Sequence, residues 1–377
     1  MNWKTLLPRL LLVGVGFALA ASMIWITLEL FPEWRPGGQR FIFTDEDGDT
    51  FRHQPGFVRP PSENRVLEDF IRRTTKDGFR EPRMTSDEYT IIALGDSFTE
   101  GGETPWVDVL ATELDTPVQN LGWRGWGTLE QAEALKQFGN DDPDWILIGY
   151  FEGNDLSNIQ TAYQQYQSTG EINIDRVSEI SAKDAEPFEI VINPDGNYLY
   201  PLQHNIGEAV IELAYISDYI WWLNGTKDTY AQSQNIMLLH QALSDIKATA
   251  TNACIALVYI PTKGHIYFPY ANPQGNQQYV LENSLTLQLD SEGWLTFGAL
   301  QMLDFDQVYA NFNNQREVIQ QITEDVGIQF IDLVPVFENA VETLPPTYYT
   351  YDSHWSQAGH NLAGATVADF IQQTPCG

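Results

Sequence analysis

Apolar residues are distributed along the chain in three kinds of pattern. The first is an unbroken run from Leu10 to Leu28 that contains no charged residue. As a helix rising 1.5 Å per residue it would reach roughly 28 Å, close to the ~30 Å hydrocarbon thickness of a bilayer. Lys4 and Arg9 precede it and Trp25 stands near its far end. That arrangement predicts a cytoplasmic N-terminus at 1–9, a transmembrane anchor at 10–28 and an exported remainder, periplasmic or extracellular. Ala18-Leu19-Ala20 also fits a signal-peptidase site, so secretion after cleavage is the alternative.

The second pattern is a set of short apolar runs separated by amphipathic stretches. Tyr89 to Leu94, Val118 to Leu121, Trp145 to Tyr150, Cys254 to Ile260 and Ile328 to Val334 read as five buried strands. Thr104-Pro105 opens a helix to Leu114, and Thr128 with Gln131 fits a capping box for a helix to Phe138. Leu239, Ala242, Leu243 and Ile246 repeat at helical spacing. One further helix is predicted over about Asp304 to Asp325, ended by Gly327, and a last one buries Ala363, Val367, Phe370 and Ile371. Strands spaced by helices predict an α/β domain with a doubly wound, mostly parallel sheet, its ligand site along the C-terminal strand ends.

The third pattern is irregularity. Residues 29–88, broken by Pro32, Pro36, Pro55, Pro60 and Pro61, read as a stalk or lead-in to a domain at 89–377. Two insertions, at about 157–234 and 263–300, interrupt the alternation. The first is rich in Tyr and Trp, which either form its own core or line a substrate groove.

Composition narrows the function. Twenty Lys and Arg against 51 Asp and Glu give a net charge of −31, which repels phosphate backbones and argues against a nucleic-acid partner. Cys254 and Cys376 are the two cysteines, so a Cys-based zinc cluster is excluded and one disulfide remains open. No His/Asp cluster has ligand spacing apart from Asp352-x-His354, and neither metal nor cofactor is expected.

Four loops at predicted strand ends carry candidate chemistry. Gly95-Asp96-Ser97 follows the first strand, where a turn into a helix exposes a serine hydroxyl. Asn120 to Thr128 follows the second and contains Gly125, whose backbone N–H can approach a ligand closely. Gly153-Asn154-Asp155 follows the third, and the Asn154 amide is a neutral donor suited to an oxyanion. Asp352-Ser353-His354 follows the fifth: in an extended segment residues two apart point the same way, so Asp352 could hold one imidazole nitrogen while the other faces a serine. Of the other histidines, His204 and His265 fall in the insertions, His53 in the lead-in, His240 in a helix and His360 one turn beyond His354.

Taken in order, these motifs resemble the SGNH (GDSL-type) serine hydrolase superfamily, over roughly residues 89–156 and 236–373. The resemblance implies a flavodoxin-like five-stranded sheet and metal-free ester hydrolysis. It implies Ser97 as nucleophile, His354 as general base and Asp352 as the acid that orients it, with the Ser97 N–H, the Gly125 N–H and the Asn154 side chain as oxyanion donors. The superfamily commonly places its acid three residues before the histidine, whereas Asp352 stands two before. The Asp-x-His-Trp form is similar to membrane-linked enzymes that acetylate exported polysaccharides.

The expected activity is therefore cleavage of O-acyl esters, O-acetyl above all, on a small molecule or polysaccharide. A polysaccharide O-acetyltransferase using the same residues and a non-catalytic binding module on the same fold are the alternatives. Trp123, Trp126 and Trp355 flank the motifs and could stack on a sugar or pack beneath the site.

Overall fold

Five near-continuous apolar runs can be buried on both faces only inside a sheet covered by helices on each side. The computed structural model describes residues 39–43, 75–172, 174, 188–192, 199–207, 209–271, 284–301, 303–343, 345–349, 352–374 and 376, and it has that sheet. Its strands are β1 (Ile91–Gly95), β2 (Val118–Gly122), β3 (Trp145–Phe151), β4 (Cys254–Ile260) and β5 (Gln329–Asp332). They lie in the order β2-β1-β3-β4-β5 and every neighbouring pair is parallel. This is the flavodoxin-like strand order, which places the ligand crevice at the strand C-terminal ends. β1 and β3 are buried along their whole length, as interior strands must be.

The helices that position the site are α1 (Ser97–Glu100), α2 (Trp106–Leu114), α3 (Thr128–Phe138), α4 (Asp155–Thr169), α5 (Gln234–Thr249), α6 (Lys263–Tyr267), α7 (Asn314–Val326) and α8 (Gln357–Gln373). α2 packs on α8, while α3, α4 and α5 pack together and α5 meets α7. Leu239, Ala242, Leu243 and Ile246 form the buried stripe of α5 as their spacing predicts, and Ala363 and Val367 do so on α8. Phe370 and Ile371 are only partly buried against the core.

Several boundaries differ from the sequence reading. The predicted helix over 304–325 is two helices, Phe305–Asn311 and α7. They part where Asn314 turns its amide to the Gly225 carbonyl and the Asn311 side chain, both at 2.9 Å. α3 is capped one residue early: the Gly127 N–H donates to Glu130 Oε2 at 3.0 Å, so Glu130 and not Gln131 reaches back. α2 is shifted the other way, starting at Trp106 with Pro105 in place of Thr104 at the cap.

The first insertion begins later than 157, because α4 continues to Thr169 and is closed by Gly170 at φ 83°. Leu156, Ile159 and Ala162 form its buried face. The insertion then forms an antiparallel hairpin, Leu199–Ile206 with Ala209–Ile216, and the second insertion forms another, Ser284–Leu289 with Leu295–Gln301. Tyr215, Trp222 and Tyr230 are buried, which fits the reading of these aromatics as the insertion's own core.

The domain also starts before 89. Phe79 is buried with its ring 5.2 to 6.3 Å from those of Trp123, Trp126 and Phe138. Farther up the lead-in, Gln39–Phe43 pairs antiparallel with Phe188–Ile192. The Leu10 to Leu28 segment lies outside the described residues, among which no helix is long and apolar enough to cross a membrane.

Cys254, at the start of β4, is disulfide-bonded to Cys376, 122 residues away, and so fastens the end of the chain beneath the sheet. Closing a loop of that size removes much of the unfolded chain's entropy. Cys376→Ser is expected to lower the unfolding free energy by about 2–4 kcal/mol, read as a lower urea midpoint of the oxidised protein. Coincident midpoints for the variant and the wild type would show that the bridge carries no such load.

Candidate active site

The position of Ser97 depends on three glycines of adjacent strands. α1 turns directly off β1, and the Thr99 side chain lies against Gly95, Gly122 and Gly149 at the ends of β1, β2 and β3. A Cβ added at any of the three would come within 2.1 to 2.8 Å of Thr99, so only glycines let α1 settle on the sheet. Asn120 completes the seat by donating to the Thr99 carbonyl at 2.9 Å and accepting the Gly122 N–H at 2.9 Å. Asp96 caps α1 by accepting the Phe98 N–H at 2.9 Å. Ser97 is thereby presented as the first residue of a helix at the C-terminal end of β1.

The loop after β5 brings up the imidazole. Tyr348 and Trp355 form an antiparallel bridge, the Tyr349 N–H donates to the His354 carbonyl at 3.1 Å, and Lys263 of α6 donates to the Tyr349 carbonyl at 2.8 Å. Beside this bridge His354 Nε2 lies 2.8 Å from Ser97 Oγ, across 257 positions of sequence. On its other side His354 Nδ1 lies 2.6 Å from Asp352 Oδ1.

The extended geometry expected for Asp352 and His354 is not what is found. Asp352 Oδ1 also accepts the His354 backbone N–H at 3.0 Å, so the carboxylate folds back over its own turn. The two-residue spacing works through that turn, not through a shared strand face.

Asp352 is buried, and burial alone would raise its carboxyl. The His354 charge, the hydrogen bonds from His354 and the Lys263 charge outweigh burial and hold it below the ordinary value. Lys263 is itself buried, and burial pushes its ammonium down to about 7 against the pull of Asp352. Two further carboxyls sit under Ser97. Burial lifts Asp96 to about 6, and burial together with the Asp96 charge lifts Asp155 well above its usual range.

Gly125 and Asn154 come to the same edge, from the strands on either side of β1. Gly125 adopts φ 76°, a left-handed conformation that glycine takes without penalty, and a Cβ there would meet nothing within 4 Å. Asn154 is the half-buried cap of α4. Neither the Ser97 N–H, the Gly125 N–H nor the Asn154 amide is engaged in a hydrogen bond among the described residues.

The other sequence candidates are structural. Trp123, Trp126 and Trp355 are buried, so the sugar-stacking alternative does not hold for them. Trp355 stacks on Phe337 at 5.1 Å and meets Phe98 edge-on, and Phe98 in turn lies 4.9 Å beneath the His354 ring. His360 is buried and accepts the Trp106 N–H at 3.3 Å. His265 pairs with Glu152 at 2.7 Å, and His204 meets the Tyr215 hydroxyl inside the first insertion.

Sequence reading missed Phe98, Asn120 and Lys263. The signal for Lys263 was available: a lysine directly after a buried strand, in a chain with only twenty basic residues.

Asp352→Asn puts an amide where His354 Nδ1–H needs an acceptor and is expected to lower kcat/KM for ester cleavage by about 10²- to 10⁴-fold. Because the folded-state carboxyl is depressed, its stabilising contribution is present above the unfolded value near ~3.9 and is lost as pH falls through the folded value. The gap in unfolding free energy between wild type and variant should therefore be steady from about pH 5 to 7 and close below about 4. A gap that widens in acid would contradict this assignment.

Residues 93–362 match the model of the GDSL-like Lipase/Acylhydrolase family. No curated protein matches the chain in sequence. Among solved structures it is similar to an extracellular lipase from Streptomyces rimosus, with 13% identity and a TM-score of 0.41 over 75% of this chain and 98% of that one. A phospholipase A1 from Streptomyces albidoflavus shares 13% identity at a TM-score of 0.37, covering 74% of this chain and 97% of that one. A catalytic mutant of an acetylxylan esterase from Geobacillus stearothermophilus shares 13% identity at a TM-score of 0.35, covering 78% and 98%. With the family model spanning most of the chain, this protein belongs to the GDSL-like Lipase/Acylhydrolase family and is an ester-acting hydrolase.

Proposed function

We propose that the protein is an exported, membrane-anchored serine esterase that removes O-acyl groups, O-acetyl in the first instance, from a carbohydrate. The observation that carries the catalytic part is the continuous chain Ser97 Oγ, His354 Nε2, His354 Nδ1, Asp352 Oδ1, with contacts of 2.8 and 2.6 Å. In this reading His354 Nε2 takes the Ser97 proton as Oγ bonds to the ester carbonyl carbon. The carbonyl oxygen gains the negative charge and is met by the Ser97 N–H, the Gly125 N–H and the Asn154 amide. Collapse breaks the ester C–O bond, and the leaving alkoxide takes the proton from His354. Water then attacks the acyl-serine with the same base and releases the acid.

Export is supported by the Cys254–Cys376 disulfide, since such bonds persist in oxidising compartments. Anchoring rests on the uncharged Leu10 to Leu28 run behind Lys4 and Arg9. The carbohydrate O-acetyl assignment rests on Asp352-x-His354-Trp355, which is similar to the motif of membrane-linked enzymes that add acetyl groups to exported polysaccharides.

The test uses the full-length protein in detergent with an acetylated oligosaccharide. Free acetate should appear, and Ser97→Ala should lower its release by at least about 10³-fold with an unchanged folding transition. Acetate release by the variant at the wild-type rate would remove Ser97 from the mechanism. Transfer of acetyl to an added sugar acceptor, at the expense of free acetate, would reassign the protein as an acetyltransferase.

A further inference from the structure

Glu100 is wholly buried, one helical turn after Ser97 on α1, and the reaction as written does not use it. A carboxylate placed there needs charged partners. Its Oε2 accepts two hydrogen bonds from one residue, the Arg124 backbone N–H at 3.0 Å and the Arg124 Nε–H at 2.9 Å. The carbonyl of Glu100 is held as well, by Arg80 Nη1 at 3.0 Å, and the same Nη1 donates to the Gly102 carbonyl at 2.6 Å. One side chain therefore joins the nucleophile's helix to the loop after β2.

Arg124 immediately precedes Gly125. Holding both the backbone N–H and Nε of Arg124 restrains its N–Cα–Cβ frame and hence φ, while the Trp126 N–H, donating to the Trp123 carbonyl at 3.1 Å, closes a turn over Arg124 and Gly125 that restrains ψ. Gly125 needs such a restraint. It is exposed, in a left-handed conformation, and no neighbour lies within 4 Å of where its Cβ would be. Trp123 and Trp126 are buried on either side and their backbone bond makes the turn one unit, so what is left to set is how that unit sits over α1.

We propose that Glu100 is a positioning residue for ester hydrolysis: by gripping Arg124 twice, it sets the Gly125 N–H at a fixed place relative to Ser97. The proposal rests on the reading of Ser97 and Gly125 given above. Oxyanion stabilisation depends on donors already aimed at the developing charge, so a loop free to turn loses the donor without losing the substrate. The effect belongs in kcat and not in KM.

The experiment compares Glu100→Ala, Glu100→Gln and Arg124→Ala in the full-length protein, with p-nitrophenyl acetate hydrolysis and amide hydrogen exchange across residues 122–128 as readouts. Glu100→Ala should lower kcat about 10²-fold with KM within about threefold, the size expected for one oxyanion donor. Glu100→Gln keeps an acceptor oxygen and should recover most of that loss. Arg124→Ala keeps the backbone grip and should fall between the two. Exchange at 122–128 should quicken in Glu100→Ala and stay near wild type in Glu100→Gln. Unchanged exchange in folded Glu100→Ala overturns the proposal, as does a melting point that drops while kcat does not. A wild type that cleaves no ester would count against the esterase reading instead, and the exchange comparison would still decide whether Glu100 holds the loop. Should Glu100→Ala fail to fold, an Arg124→Ala variant with wild-type kcat and exchange would overturn it equally.

Discussion

The site depends on how closely one short helix can approach a sheet. Thr99 rests against glycines from three adjacent strands, and a methyl group on any of them would lift α1 away from the strand ends. That contact sets the height of Ser97 above β1. It also sets the distance to everything reaching over from the loops after β2, β3 and β5. The His354 contact of 2.8 Å is therefore a consequence of backbone packing some residues removed from either partner.

Electrostatics around Ser97 divide into two regions. On the histidine side a buried carboxylate is kept charged, because Asp352 faces His354 and Lys263. Beside the serine the opposite holds: burial raises both Asp96 and Asp155, and the Asp96 charge makes ionisation of Asp155 harder still. With Asp96 raised to about 6, its stabilising contribution is full below the unfolded value near ~3.9 and is lost as pH rises through 6. The two sides thus pull stability in opposite directions with pH. The charged form of Asp352, which the proposed mechanism needs, is the one that the fold favours near neutrality.

Much of this was legible in the sequence, and the reasons differ by element. The five strands were readable because parallel strands buried on both faces are almost uniformly apolar. The motif loops followed, since a doubly wound sheet sends every strand end to one edge. Ser97, His354, Asp352, Gly125 and Asn154 all come to that edge.

What was not legible depended on side chains crossing between elements. The grip of Glu100 on Arg124, the seat of Thr99 and the place of Lys263 under Tyr349 leave no periodicity. The cap of α3 at Gly127 was misplaced because neighbouring positions offer equally good local caps, and the break at Asn314 because a contact to Gly225 chose it. The tryptophans beside the motifs were ambiguous because burial and exposure use the same residue. The aromatic insertions gave even less, since hairpins with mixed patterns are hard to tell from irregular chain.

If Ser97 and His354 form one reactive unit, reaction with a fluorophosphonate followed by peptide mapping should give a single adduct, on Ser97, whose rate of formation falls by at least about 10²-fold in folded His354→Ala. An adduct on another residue, or equal labelling of Ser97 without His354, would separate the two residues.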